Sequence, residues 1–144
     1  MAAVASRVSS CVFCKIVAGE VPAEVVLDEP PLLGFLDHRP LFPGHVLIVP
    51  REHHETLLDL PPALSAPLLD ATRRVAAAVQ AALQADGFFV AMNNKVSQSV
   101  PHLHMHVIPR RKKDGLKGFF WPRIGYRDAA HLAEVAASIR AALR

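Results

Sequence analysis

Three histidines recur at every second position in one short segment, residues 102–106, which reads HLHMH. Alternation of polar and apolar residues is typical of a β-strand, and it predicts the histidines on a solvent-facing side and the apolar residues on the core side. Imidazole can attack an electrophile, transfer protons or bind a metal near neutral pH. The segment is therefore the first candidate for a site of chemistry.

Strand geometry predicts different roles for the three histidines. Neighbours on one strand face lie about 7 Å apart, and the outer pair, His102 and His106, lie about 13 Å apart at the backbone. We therefore expect His104, in the middle, to cooperate with either neighbour, while the outer two serve different atoms. Two alternatives are a histidine-rich polar face without function and a metal ion chelated by two of the histidines.

The chain has two cysteines, Cys11 and Cys14, separated by two residues. This spacing favours half of a metal site or a redox pair over the disulfide framework of a secreted protein. Two histidines from elsewhere in the chain would complete a tetrahedral zinc site. We therefore expect a reducing, cytoplasmic environment.

Composition indicates one globular domain. The chain has 144 residues, of which 51% are hydrophobic, and a net charge of +3. Residues 1–10 predict a flexible tail without signal-peptide character, and no apolar run is long enough to cross a bilayer. The basic run at residues 110–113 is either a solvated turn or an electrostatic attractant for polyphosphate. It has no interleaved aromatic residues, so we expect no nucleic-acid partner. Because no apolar run could span a bilayer, we also expect no membrane partner.

Hydrophobic periodicity predicts an α+β fold. We expect helices over residues 13–18 and 129–143, and strands over residues 24–27, 32–37, 45–49, 88–92 and 103–108. We expect Asp59 to cap a long helix with two prolines in its first turn. The apolar positions of that helix recur at helical spacing: Leu64, Leu68, Val75, Val79 and Leu83.

Several motifs resemble one family. The sequence HLHMHVI at residues 102–108 resembles the signature of the histidine-triad (HIT) superfamily, and QSV precedes it at residues 98–100. PGHVLIVP at residues 43–50, FLD at residues 35–37 and CVFCKI at residues 11–16 resemble other family segments in the same order. The chain is identified as a member of this superfamily, similar to bacterial zinc-bearing Hint-like nucleotidyl hydrolases.

The resemblance implies an antiparallel sheet with one long helix, a short N-terminal helix and a C-terminal helix. It places the HIT domain at residues 11–110 and implies a two-fold homodimer in which the sheet continues across both subunits. We expect residues 111–144 to form an extension packed on the same domain. The chain departs from the family at residues 94–97, which read NKVS where many members have a glycine-containing loop.

The resemblance also implies hydrolysis at the α-phosphate of a purine nucleotide conjugate, such as a nucleoside phosphoramidate. In this interpretation His104 attacks phosphorus and forms a nucleotidyl-histidine. His106 hydrogen-bonds the phosphate or the bridging atom, Ser99 protonates the leaving group, and His102 orients the group.

The nucleotide-binding and metal-binding residues follow from the same resemblance. Asp37 would accept the ribose hydroxyls, and three apolar residues would hold the base. The full predicted nucleotide site comprises Phe13, Ile16, Phe35, Asp37, Asn93, Gln98, Ser99, Val100, His104 and His106. A structural zinc ion would bind Cys11, Cys14, His53 and His102, with His54 as an alternative to His53.

Three other functions are compatible with these residues. One is a dinucleoside polyphosphate hydrolase, and another is a nucleotide-binding or scaffold protein with little catalysis. The third is a hydrolase that uses a metal bound directly by the histidines.

Overall fold

The computed structural model describes residues 8–117 and 121–143, and its contacts divide the chain into two units, Met1–Asp114 and Gly115–Arg144. The first unit contains a five-stranded antiparallel sheet with strand order β1-β2-β3-β5-β4. The strands are β1 (Val25–Glu29), β2 (Leu32–Leu36), β3 (Val46–Pro50), β4 (Gly87–Ala91) and β5 (Met105–Arg110). The helices of this unit are α1 (Val12–Val17) and α2 (Ser65–Leu83).

The two faces of the sheet are covered by different helices. Apolar side chains of α2 pack on one face in a core that includes Ile48 and Val107. On the other face a second core joins Phe13 of α1 to Phe35 and Leu47. Because neighbouring strand residues point to opposite faces, His106, beside Val107 and paired with Leu47, lies on the α1 face. The sheet therefore presents His106 on the face where the cysteine-bearing helix packs.

The N-terminus of the long helix differs from the sequence prediction. Helix α2 begins at Ser65, after two short 3₁₀ turns at Leu57–Asp59 and Pro62–Leu64. Asp59 does not cap α2, because its carboxylate accepts hydrogen bonds from the Thr56 N–H (2.9 Å) and hydroxyl (2.7 Å). The capping prediction was therefore wrong: the local Thr–Asp capping box closes a 3₁₀ turn before the prolines.

The apolar face of α2 was largely confirmed. Its buried side chains are Leu68, Ala71, Thr72, Val75, Ala76 and Val79. Leu83, which was predicted on the same face, is 37% exposed, because the helix ends at Gln84, which has left-handed backbone (φ 52°). The two alanines in this face let the helix lie close to the sheet.

The described residues of the second unit contain one helix, α3 (Ala129–Ala142). It is capped by Asp128, which accepts a hydrogen bond from the His131 N–H (2.8 Å). Within this helix Leu132 and Ile139 are 49% and 57% exposed. Three consecutive aromatic residues, FFW at residues 119–121, fall partly on residues 118–120, which lie outside the described residues. Among the helices that the structure describes, none combines the length and apolar character that a membrane span requires.

Candidate active site and metal cluster

The three triad histidines do not form one solvent-facing strand row. Strand β5 begins at Met105, so His102 and His104 lie in the extended segment before it, and only His106 is within the strand. The two are 0% and 3% exposed, so the prediction of a wet histidine face was wrong. The reason is the ring of Phe13, whose centroid lies 5.1 Å from that of His104 and 5.9 Å from that of His102.

The hydrogen bond at His104 fixes its tautomer. Its Nδ1 lies 2.8 Å from the carbonyl oxygen of His102. A carbonyl only accepts hydrogen bonds, so Nδ1 carries the proton and Nε2 carries a lone pair. Burial lowers the pKa of His104 below its ordinary value. His104 is therefore a neutral imidazole with its nucleophilic nitrogen directed away from the backbone.

A hydrogen bond from a second histidine, His45, sets the tautomer of His106. The Leu41 N–H donates to Nδ1 of His45 (3.1 Å), so the His45 proton is on Nε2. That Nε2 lies 2.9 Å from Nδ1 of His106 and donates to it, which leaves the His106 proton on Nε2. Burial, followed by the neighbouring His104 and His45, lowers the pKa of His106 to about 4. His106 thus presents an N–H donor, with its ring centroid 4.9 Å from that of His104.

His45 was not among the predicted site residues. The sequence analysis contained its motif, PGH at residues 43–45, but the motif does not reveal that the ring reaches His106 across the sheet. Asp37 lies on the other side of His45, with Oδ2 3.8 Å from Nδ1, and its Oδ1 accepts a hydrogen bond from the Arg39 N–H (2.9 Å). The Asp37 side chain is 17% exposed, so a carboxylate oxygen remains within reach of a bound molecule.

Asp37, His45 and His106 also have a spacing compatible with a metal ion. Their hydrogen bonds argue against one: both nitrogens of His45 are occupied, one by the Leu41 N–H and one by His106. A metal on Nε2 of His45 would require a proton on Nδ1, facing the Leu41 N–H. The group is therefore better described as a hydrogen-bonded chain.

A second group lies at the N-terminus of α1 and comprises Cys11, Cys14, His53 and His102. His102 donates from Nε2 to the Pro50 carbonyl (2.8 Å), so its Nδ1 carries a lone pair. That Nδ1 faces the sulfur of Cys11 at 3.4 Å and the sulfur of Cys14 at 3.5 Å, and Nδ1 of His53 lies 3.3 Å from the Cys14 sulfur.

These distances fit tetrahedral zinc. Zinc–sulfur and zinc–nitrogen bonds of ordinary length place sulfur and nitrogen ligands about 3.6 Å apart, and the three observed separations are 3.3–3.5 Å. The structure brings His53, and not His54, into the group. His54 Nε2 is buried without a hydrogen-bond partner among the described residues and lies 3.6 Å from the Glu52 carboxylate.

The pKa shifts in the cluster have opposite effects on metal binding: a raised thiol pKa disfavours the thiolate, and a lowered histidine pKa favours the neutral ring. Burial, followed by the hydrogen bond and charge of Cys11, raises the pKa of the Cys14 thiol to about 11. Burial likewise lowers the pKa of His102 to about 4, which keeps its ring neutral. A partly buried group of two thiols and two imidazoles is a donor set that zinc binds after the thiols lose their protons.

The loop before the triad is held by its own side chains. Asn93 donates to the Ser97 carbonyl (3.2 Å), while Gln98 accepts from the Lys95 N–H (2.8 Å) and donates to the Glu55 carbonyl (2.7 Å). Lys95 and Ser97 have positive φ values of 66° and 59°. The loop thus adopts left-handed backbone without glycine, and the amide groups of Asn93 and Gln98 shape it.

The predicted base-binding residues differ in exposure. Phe13 and Phe35 are 6% and 2% exposed, and their rings pack edge to face at 5.5 Å. Ile16 and Val100 are half-buried beside this cluster. The two phenylalanines therefore form a rigid floor under the histidines, and Ile16 and Val100 have side-chain surface left for a ligand.

A cleft of about 420 Å³ opens beside the cysteine group. Its walls come from three segments: the start of α1, the 53–55 segment and the end of the 93–101 loop. The lining residues are Ser10, Cys11, Val12, His53, Glu55, Ser99, Val100 and Pro101. Ser99, the predicted proton donor, is thus exposed in a cleft that reaches the cysteine group.

The basic run at residues 110–113 has mainly structural contacts. Arg110 binds the Asp114 carboxylate through two nitrogens (2.6 and 2.9 Å). Arg111 donates to the carbonyls of Leu83 and Gln84 at the C-terminal end of α2. These contacts favour a structural turn over a polyphosphate-binding patch.

Comparisons with known proteins agree with this geometry. A family model described as "HIT domain" matches residues 18–113. Two curated relatives have names of nucleotide hydrolases. An adenosine 5′-monophosphoramidase of Candida albicans is 30% identical over 120 residues, covering 79% of each chain. An adenylylsulfatase of Arabidopsis thaliana is 36% identical over 110 residues, covering 75% of this chain and 56% of that protein.

Two solved structures have the same fold. A HIT-family protein of Bacillus subtilis aligns with a TM-score of 0.84 and 32% identity, covering 94% of this chain and 98% of that one. A zinc-bound histidine triad family protein of Mycobacterium smegmatis aligns with a TM-score of 0.72 and 36% identity, covering 91% and 99%. The domain match, the relatives and the shared fold confirm the resemblance seen in the sequence, and this chain belongs to the HIT family.

Proposed function

We propose that this protein is a hydrolase that cleaves a purine nucleotide conjugate, such as a nucleoside phosphoramidate, at its α-phosphate through a nucleotidyl-histidine. One observation carries the proposal: His104 is held neutral with its lone pair on Nε2, while His106 beside it presents an Nε2–H donor. A nucleophile and a hydrogen-bond donor for the phosphate are thus fixed side by side before substrate arrives.

The proposed reaction has two displacements. Nε2 of His104 attacks the α-phosphorus, a nitrogen–phosphorus bond forms, and the bond to the leaving amine breaks with its electron pair remaining on that amine. The amine nitrogen takes a proton, for which the Ser99 hydroxyl is the proposed donor. Water then attacks phosphorus, the His104 bond breaks, and one water proton restores Ser99. The products are an amine and a nucleoside monophosphate.

Hydrogen bonds stabilise the intermediate in this scheme. The His104 ring becomes positively charged when Nε2 bonds to phosphorus, and its Nδ1–H remains bonded to the His102 carbonyl. The His106 Nε2–H donates to a phosphate oxygen or to the bridging atom. Neither step requires a proton to leave His104.

For nucleotide binding we propose the ten residues named from the sequence, with roles adjusted to their burial. Asp37, with a carboxylate oxygen within reach of ligand, binds the ribose hydroxyls. Ile16 and Val100 contact the base above the floor formed by Phe13 and Phe35. Asn93 and Gln98 act by holding the loop that carries Ser99.

We also propose that Cys11, Cys14, His53 and His102 bind one structural zinc ion. Zinc with four protein ligands would supply no catalytic chemistry and would fix the position of the segments that bear them. His102 connects this group to the nucleophile, because its ring belongs to the cluster and its carbonyl holds His104. The zinc-bound Mycobacterium smegmatis relative supports this assignment.

Substrate turnover tests the proposal against its alternatives. Purified protein is incubated with adenosine and guanosine phosphoramidates and with dinucleoside polyphosphates, and the products are identified by chromatography and ³¹P NMR. Release of nucleoside monophosphate and amine from the phosphoramidates is the expected result. Faster cleavage of dinucleoside polyphosphates would support the second enzymatic function, and tight nucleoside monophosphate binding without any turnover would support a scaffold.

A further inference from the structure

We infer that Cys11 and Cys14 are a site of reversible oxidation, at which a hydroperoxide entering the adjacent cleft joins the two sulfurs in a disulfide and releases the metal. The inference goes beyond the proposed hydrolysis, in which these cysteines have only a structural part. It rests on the proposed zinc site and on the geometry of the first turn of α1.

The two sulfurs are close enough to bond to each other. Cys11 is the N-cap of α1, and its sulfur accepts a hydrogen bond from the Cys14 N–H at 3.5 Å. Both sulfurs lie beside the same His102 nitrogen, at 3.4 and 3.5 Å, and within 4.8 Å of each other. Residues three apart at the start of a helix have Cα atoms about 5 Å apart, inside the range of about 4.4–6.8 Å that a disulfide spans. Rotation of the two side chains therefore brings the sulfurs to bonding distance.

The cleft beside the cysteine group gives a small oxidant access to the pair. Cys11 lines this cleft of about 420 Å³, whose other walls include Val12 and Val100. Hydrogen peroxide is little larger than a water molecule, which takes up about 30 Å³. It therefore reaches Cys11 while the protein stays folded, whereas a cysteine buried without such an opening is inert.

One molecule of hydrogen peroxide balances the oxidation. The Cys11 thiolate attacks a peroxide oxygen, the oxygen–oxygen bond breaks, and a hydroxide leaves. The Cys14 thiolate attacks the Cys11 sulfur, the sulfur–oxygen bond breaks, and a second hydroxide leaves. Two protons from solvent convert the hydroxides to water, so the sulfurs lose two electrons and the peroxide gains them. The disulfide has no thiolate with which to bind zinc, and His53 and His102 alone are too few ligands to retain it.

The pair is connected to the reacting histidine through Phe13. This residue lies between the two cysteines in the chain, and its ring centroid lies 5.1 Å from that of His104. Drawing the sulfurs together changes the turn that carries the Phe13 ring. Loss of the metal also leaves the His102 ring with the Pro50 carbonyl as its hydrogen-bond partner, while the His102 carbonyl holds His104. We therefore expect oxidation to slow the proposed hydrolysis.

Zinc release and protein mass test the site without relying on activity. Zinc-loaded protein is treated with hydrogen peroxide in the presence of a metallochromic zinc indicator, and samples are analysed by intact-protein mass spectrometry. We expect about one zinc ion per chain to be released while the chain mass falls by about 2 Da, since a disulfide has two hydrogens fewer than two thiols. Cys11 and Cys14 are the two cysteines of the chain, so a disulfide within one chain joins them. Dithiothreitol followed by zinc should restore both mass and metal content.

Two variants test whether the oxidant uses the cleft. Val12 lines the cleft and is 40% exposed, so Val12→Trp should obstruct the opening without disturbing the core. It should slow oxidation about fivefold or more, because access limits the reaction of a buried thiolate. Val26→Trp is the matched control, since Val26 in β1 is 53% exposed and is not among the residues that line the cleft, and it should react at the parent rate.

The kinetics of the parent protein give a second test, which holds if Val12→Trp is unstable. Direct attack of peroxide on the cysteine pair makes the rate of zinc release proportional to peroxide concentration. If zinc left first, the rate would level off at the rate of zinc dissociation.

Hydrolysis of an adenosine phosphoramidate before and after oxidation measures the coupling to His104. We expect kcat to fall about tenfold or more, as for a small displacement of a catalytic group, and to recover after reduction in the presence of zinc.

The outcomes separate the claims. Zinc release without the fall in mass, a rate that levels off with peroxide, or equal rates in Val12→Trp and Val26→Trp overturns the oxidation site. Unchanged hydrolysis in fully oxidised protein overturns its coupling to His104. Protein that takes up no zinc contradicts the zinc site and, with it, this inference. Absence of hydrolysis in reduced, zinc-loaded protein overturns the proposed function, while zinc release and mass still test the oxidation.

Discussion

Single hydrogen bonds determine which nitrogen of each active-site histidine is reactive. Three backbone groups set the tautomers: the His102 carbonyl for His104, the Pro50 carbonyl for His102, and the Leu41 N–H for His45 and, through it, His106. As a result His104 presents a lone pair on Nε2, His106 presents an N–H donor on Nε2, and His102 presents a lone pair on Nδ1. In the proposed mechanism one residue type therefore serves as nucleophile, hydrogen-bond donor and metal ligand.

His45 should position His106 without contacting substrate. His45→Ala removes the Nε2–H that sets the His106 tautomer, and we expect kcat to fall about tenfold, as for loss of one hydrogen bond to a catalytic group. His45→Gln, whose amide nitrogen can donate at a similar reach, should recover most of that loss. Steady-state kinetics with an adenosine phosphoramidate measure both variants; equal losses in the two would show that the donor is not what matters.

Activity should fall at low pH only below the pH range in which an ordinary histidine titrates. Burial lowers the pKa of His104 and lowers that of His106 to about 4, so both rings stay neutral as the pH falls through 6.5. Protonation of His104 removes the attacking lone pair, and activity is lost only as the pH approaches the lowered pKa values. We expect the acid limb of kcat/KM, which reports the free enzyme, to have its midpoint below the ordinary histidine value of 6.5. A midpoint at 6.5 or above would contradict the assigned burial effect.

At the scale of elements, the cysteine group joins three parts of the chain that are distant in sequence. Cys11 and Cys14 begin α1, His53 follows β3, and His102 precedes β5. The His102 carbonyl also accepts the hydrogen bond from the proposed nucleophile, His104. A change in the position of the cysteine group would therefore move the active site through His102.

Loss of a cysteine ligand should therefore affect metal content, stability and activity together. We expect the parent protein to contain about one zinc ion per chain and Cys14→Ser to lose it, with a fall in Tm. Because the pKa of the Cys14 thiol is raised to about 11, zinc binding must release protons and should strengthen as the pH rises. Elemental analysis and thermal unfolding measure these effects, with His54→Ala, outside the group, as the control. A metal-free parent of equal stability would remove zinc from the account.

The sequence predicted the order and type of the elements more accurately than their ends. Helical spacing placed the long helix, the short N-terminal helix and the C-terminal helix, because it reflects one-sided burial. Apolar runs bounded by turn residues and prolines placed β2 and β3, which are buried on both faces and do not alternate. The start of α2 was mispredicted because the Asp59 carboxylate accepts a hydrogen bond from Thr56 instead of from the first turn of α2. Hydrophobic periodicity does not reveal which of these two groups the carboxylate binds. The burial of His102 and His104 was missed because it depends on Phe13, about ninety residues away in the chain.

The site residues that share one segment were predicted from the sequence, and those whose contacts join separate segments were not. Cys11, Cys14 and the triad were evident from spacing within one segment. Two features depend on how separate segments meet in space. One is that His53, and not His54, joins the cysteine group, and the other is the contact of His45 with His106. Such contacts leave no periodic signal in a single sequence.

At the scale of the whole molecule, an edge strand with apolar exposure supports the proposed homodimer. Strand β4 forms one edge of the sheet, and its Phe88 and Val90 are 47% and 36% exposed. Pairing β4 with its counterpart would cover both edges and continue the sheet across two subunits. We also propose, as expected from the sequence, that the protein acts in the cytoplasm.

Light scattering tests the homodimer. We expect a mass about twice that of the 15.7 kDa chain at micromolar concentration. Phe88→Lys places a charge on the exposed side of the edge strand and should shift the mass toward one chain, whereas Lys15→Glu, in α1, should not. A parent protein that is monomeric at micromolar concentration would contradict the proposal.

The central claim is that His104 forms a covalent bond to the α-phosphorus. Rapid quenching in base, which preserves an acid-labile nitrogen–phosphorus bond, followed by intact-protein mass spectrometry tests it most directly. Within the first turnover of an adenosine phosphoramidate, we predict a mass increase of one adenylyl group that maps to the peptide containing His104. His104→Ala should show no adduct and should lose about 10⁴-fold or more in kcat, equivalent to roughly 5 kcal/mol of barrier, while circular dichroism verifies that it folds. Turnover near the parent rate in a folded His104→Ala, with no adduct on the parent protein at any quench time, would contradict the covalent mechanism.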